Sequence, residues 1–259
     1  MGHIRLGTLP NTRPWELVVG RAADGAGVAV VAAATLAAAA EGLRVARSDP
    51  GFADAVELLA LLVAKSRPPD WRAELHAAGL TLADDPTTLE VVLALQRAHA
   101  ARAAVRPRPP SDLAGIALAA AVGTLSRELN LRVRSVLVEG AETALDALRS
   151  FGTVKRFGGL FHRFFAGFIE RFLRYHLDRE LSLHFGECGR FHSQDDRLLF
   201  ERDLATHCSE AALVVRDYAG AWLSKALFEG GVTRDRAARF ARHCLDKLVA
   251  ELAARGAAA

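Results

Sequence analysis

The chain has 259 residues, 51% of them hydrophobic and 24% charged, which excludes wholesale disorder and allows one large core or two modest ones. Its 33 basic residues stand against 30 acidic ones, for a formal charge of +3 with no long run of one sign, too even a balance to name nucleic acid as a partner. Three cysteines, Cys188, Cys208 and Cys244, cannot all pair within one chain, and with no secretory leader at the start they point to a reducing, cytoplasmic setting.

Ala and Leu dominate the apolar residues, so intrinsic propensity favours helix throughout. The same Ala content, with Arg preferred over Lys, implies a GC-rich coding sequence of a bacterial kind and says nothing of function. The longest uncharged runs, 25–40 and 113–126, are shorter than the roughly 20 apolar residues that span a bilayer and are mostly Ala. No transmembrane segment is expected.

Taken in order, residues 3–9 alternate apolar and polar like a short strand that stops at Pro10. A helix then starts near Pro14 behind Asn11 or Thr12, and after the turn at Asp24-Gly25 a second is expected over 26–46. Its Ala-rich faces suit burial between close neighbours. Asp49-Pro50 marks the next start, with Phe52, Val56, Leu59, Leu62 and Val63 at helical spacing. Asp70 is expected to cap a short helix ending at Gly79, and Asp85-Pro86 to open another running to about Ala104. This pair is spaced like a helix-turn-helix, but Asp84, Asp85 and Glu90 at the second helix's start would repel phosphates.

Arg106, Arg108, Pro107, Pro109 and Pro110 compose an extended, solvated linker. The boundary falls there: an N-terminal helical subdomain over 1–105, the linker over 106–112, and a Phe-rich helical subdomain over 113–259. Ser111 caps an Ala-rich helix to about Leu129, while 131–138 reads equally as a strand pairing with 3–9 or as continued helix. After a short helix near 142–148 comes the stretch 151–200, which holds ten of the chain's thirteen Phe. Phe157, Phe161, Phe164, Phe168 and Phe172 step by four, three, four and four, the period of an amphipathic helix predicted over 154–183. Ser193 with Asp196 resembles a capping box ahead of one long helix over 194–228, and Thr233 caps the last. The fold class is all-α, a multi-helix bundle with at most the one small strand pair.

Candidate chemistry is sparse. His184, Cys188 and His192 recur every four residues across two Gly breaks, and with His207 they would make a tetrahedral zinc set. Such a site would be structural if protein closed it, and catalytic if water took the fourth position with Glu187 or Asp195 as base. Cys188 beside His192 near a helix start could also serve as a nucleophile. Asp203, His207 and Glu210 share a face like half of a di-metal carboxylate site, whose other half is missing. Arg236, Arg239, His243 and Lys247 share a face of the last helix and form the candidate nucleic-acid contact. No phosphate loop, nucleophile elbow or His-Glu-x-x-His pair occurs.

The reading that these features favour is a non-enzymatic, cytoplasmic interaction or scaffold protein, docking a protein partner or a second copy through apolar surface of its C-terminal helices. Zinc binding at 184–192 and nucleic-acid binding by the last helix are the alternatives. A bilayer-surface role for the Phe helix is disfavoured by Glu170 on its polar face and by the number of Phe residues, which suits a core.

Overall fold

The computed structural model describes residues 13–133, 143–181 and 193–259. Among these residues the elements are twelve helices and no strand: α1 (Arg13–Ala23), α2 (Val28–Ala38), α3 (Ala40–Ala46), α4 (Pro50–Lys65), α5 (Trp71–Ala77), α6 (Thr88–Ala104), α7 (Asp112–Val133), α8 (Ala144–Ser150), α9 (Val154–Leu181), α10 (Gln194–Ala211), α11 (Leu213–Phe228) and α12 (Arg234–Ala257). The all-α class is thereby established. Residues 131–133 form the last turn of α7 rather than a strand, while the rest of the expected strand pair, 3–9 and 134–138, lies outside the described residues.

The Phe stripe is the centre of the molecule. Phe157, Phe161, Phe164, Phe165, Phe168 and Phe172 of α9 are all fully buried, each ring worth on the order of 2 kcal/mol in apolar area removed from water. Phe52 of α4 meets Phe168 at 4.6 Å and Phe165 edge-on at 6.2 Å, and Phe240 of α12 stands edge-on to Phe161 at 5.3 Å. Such pairs add roughly 0.5–1.5 kcal/mol each beyond area. These rings face other helices, so the stripe offers nothing to a bilayer, and no helix among the described residues is long and apolar enough to cross one.

Around α9 lie α7, α10 and α11, while α4 packs on α6, α7 and α12. One contiguous apolar core runs from Trp15 to Leu252, drawing on helices from both sides of the Arg/Pro segment. At the α9–α11 crossing the backbones touch: a Cβ on Gly158 would collide with the Arg216 carbonyl, and one on Gly220 with the Val154 carbonyl.

Local signals place most helix starts. Asp49 accepts the Phe52 N–H at 2.8 Å, Ser193 and Asp196 complete their capping box, and Thr233 accepts the Arg236 N–H. Three expectations change. The helix after Pro86 begins two residues late, because Thr87 and Glu90 form a reciprocal capping box that Asp85 cannot match. Asp70 stands at the start of α5 without a side-chain capping bond. The two long helices are each broken at an alanine, Ala39 (φ −94, ψ 15) between α2 and α3 and Ala212 (φ −73, ψ −6) between α10 and α11. An Ala-to-Ala break leaves no punctuation in a sequence.

Candidate functional site

Two buried carboxylates on α4 organise the region where chemistry concentrates. Asp54 and Glu57 are packed inside an otherwise apolar helix, a placement that costs several kcal/mol per charge unless paired. Arg102 of α6 reaches Glu57 at 2.6 Å, Arg106 is bound to Asp54, and Arg234 at the start of α12 comes within 3.3 Å of Asp54. Arg106 also donates to the Pro50 carbonyl. The first residue of the Arg/Pro segment is therefore an anchor, while Pro107, Arg108, Pro109 and Pro110 are exposed.

Pinned this way, the segment forms one wall of an open groove of about 1270 Å³. The end of α6, the first two turns of α7 and the C-terminal half of α9 supply the other walls. The space exists because small side chains line it: Ala100, Ala103 and Ala104 on α6, Gly115 and Ala119 on α7. Ile116 and Leu118 add half-buried apolar surface. A Cβ built on Gly115 meets nothing within 4 Å. Glu170 lies 3.5 Å from Arg174 and Asp178 lies 3.9 Å from Arg197, both arginines being closer to Glu201, at 2.8 and 2.9 Å, and Asp112 accepts from the Tyr175 hydroxyl at 2.9 Å. Arg108 and Arg171 are exposed at the rim, and Arg171 donates to the Gly167 carbonyl of its own helix.

Of the expected zinc ligands, His184, Cys188 and His192 lie outside the described residues, as do Glu187 and the expected Cys188 nucleophile. His207 lies on α10 beside Arg255, which binds Glu210 at 3.0 Å. Among the described residues its buried Nε2 meets no partner, and desolvation, with Arg255 nearby, pushes its imidazole below the usual range against an opposing pull from Glu210. Among the described residues no three His, Cys, Asp or Glu side chains are grouped to hold a metal ion. Of the face of Asp203, His207 and Glu210, it is Glu210 that is bound by a cation. Cys208 and Cys244 are buried free thiols, and burial pushes both well above the ordinary thiol value, which keeps them protonated and unreactive.

The basic face of the last helix is divided. Arg236 donates to the carbonyls of Gly231 at 2.9 Å and Glu229 at 2.9 Å, closing the turn where Gly230 and Gly231 take φ of 98° and 100°. Arg239 and His243 are exposed and line a second cleft, of about 510 Å³, between α11 and α12. Lys247, one turn on, is exposed beyond that lining. Sequence reasoning foresaw neither hollow as a cavity, though it marked the basic spacing of Arg239 and His243. The signal for the larger one was the outward pair Gly115 and Ala119 next to the prolines, but missing bulk has no periodicity of its own.

The described residues define an all-helical chain with an apolar groove bordered by arginines. No protein-family model, curated protein or solved structure matches it.

Proposed function

We propose that this chain is a non-enzymatic helical interaction protein whose α6–α7–α9 groove docks an amphipathic helix of a partner protein, its polar edge acidic. The observation that carries the reading is the groove's size and lining. At about 1270 Å³ it exceeds the roughly 300–1000 Å³ usual for small ligands. A helix about 10–12 Å across with a 5.4 Å pitch fills roughly 420–610 Å³ per turn, so the groove suits about two to three turns. An apolar floor with open ends is the geometry by which grooves accept amphipathic helices. The charge of the occupant is argued from the rim, where Glu170 and Asp178 stand beside Arg174 and Arg197, Asp112 accepts from Tyr175, and Arg108 and Arg171 are the exposed cations.

Selection from a library of amphipathic helical peptides of about 15 residues, long enough for a stable apolar stripe, tests this on the full chain. The expected binders carry Leu-type anchors flanked by Asp or Glu and weaken by about tenfold when Arg108 and Arg171 are both changed to Glu, the size of two rim charge contacts. Selection of peptides without acidic bias, or of none, overturns the proposal. A concentration-dependent dimer that Gly115→Trp abolishes would instead make a second copy the occupant.

A further inference from the structure

The cleft between α11 and α12 has a different chemistry from the groove. Its rings come from both helices: Tyr218 lies 4.4 Å from His243, and Trp222 stacks on Phe240 at 4.2 Å. Phe240 is buried, but Tyr218 is 40% exposed, Trp222 is half-buried and His243 is exposed. The cleft is therefore walled by accessible ring surface rather than by a closed core. At about 510 Å³ it falls within the range of small-molecule sites.

Apart from Glu229, the polar groups on this wall can all donate. Among the described residues no acceptor meets the Trp222 indole N–H, the Tyr218 hydroxyl or the Arg239 guanidinium, and Lys225 reaches Glu229 only at 3.8 Å. Glu229, the carboxylate of the lining, is also held by Arg236 at 3.5 Å. Lys225 and Arg236 stand at the Glu229 end of the cleft, and Arg239, one turn from His243, supplies the positive charge at the other. Exposed rings accept a planar aromatic group by stacking, and adjacent cationic donors accept a phosphate.

The geometry points to a nucleotide site, with the base against Tyr218 and His243 and the phosphate at Arg239. The nucleotide is either free or part of a single strand, and this inference is independent of the helix-docking groove. The test uses the full chain with AMP, inorganic phosphate and an oligo(dA) of about eight nucleotides, a length typical of single-strand sites. The readouts are a calorimetric Kd and the Trp222 indole resonance, assigned with Trp222→Phe. The expected result is saturable AMP binding that shifts this resonance and weakens by about tenfold in Tyr218→Ala and in Arg239→Ala, the scale of one stacking or phosphate contact. Tighter binding of oligo(dA), with log K falling by about 0.7 per phosphate contact against log salt, identifies a strand as the source. Binding of AMP no tighter than inorganic phosphate, affinities unchanged in both variants, or no saturable binding of AMP or oligo(dA) overturns the inference.

Discussion

Asp54 shows how one charge can tie distant parts of the chain together. It is fully buried, and its oxygens are shared by Arg102, Arg106 and Arg234, so α4, α6, the Arg/Pro segment and α12 meet at a single carboxylate. Removing one partner of a buried ion pair strands the others, and Asp54→Ala is expected to cost on the order of 3 kcal/mol. Arg234, whose side chain is 59% exposed, should cost less than about 1 kcal/mol when changed to Ala. Urea midpoints of the two variants check the ranking. His176 makes a second residue-scale prediction. Burial against Trp15 and Phe172 pushes its imidazole from 6.5 down to about 4, and among the described residues its Nε2 meets no partner. The unfolded chain therefore takes up the proton first, so stability should fall as pH drops from about 6.5 towards about 4 and be fully present above that window. His176→Leu should flatten the urea midpoint's dependence on pH in this range, leaving the smaller part from His207, which shifts in the same direction. An equal slope in both proteins would contradict it.

At the scale of helices, glycine separates two kinds of contact. Gly158 and Gly220 let α9 and α11 cross with backbone against backbone, so Gly220→Ala meets the Val154 carbonyl and must push the helices apart. Overpacking of this kind costs roughly 1–3 kcal/mol, more than the 0.5–1 kcal/mol that Ala gains over Gly in a helix. Gly115 on α7 has open space, and Gly115→Ala should raise stability by up to about 1 kcal/mol. Opposite signs of the two melting shifts are the check. The helices themselves were largely legible in the sequence, because caps such as Asp49-Pro50 and Ser193 and the step of the Phe residues are local signals. The breaks at Ala39 and Ala212 were not, since they depend on which neighbours each half must follow. The groove was illegible for a related reason: it needs Arg106 held by Asp54, 52 residues away in sequence, and small side chains on α6 and α7 brought face to face. The cleft between α11 and α12 was half visible, as the basic spacing of Arg239 and His243, while the rings that give it a wall come from another helix.

For the whole molecule, the core is built around α9 and the groove proposed for docking lies at its edge. The same long helix presents Phe rings inward and, through Glu170, Arg171, Arg174, Tyr175 and Asp178, one wall of the groove outward. Because the core continues from Trp15 to Leu252, the groove's walls are held by both halves of the chain, and a helix docked there as proposed would meet a preformed surface. Filling the groove from Gly115 is the most direct trial of this account, since its Cβ direction is open and the core is untouched. For a helical peptide selected on the native chain, the Kd measured by calorimetry should weaken by about 30-fold or more in Gly115→Trp, the energy of a lost anchor contact, with the melting temperature retained. An unchanged Kd in a folded Gly115→Trp protein would contradict the assignment of the groove as the docking site.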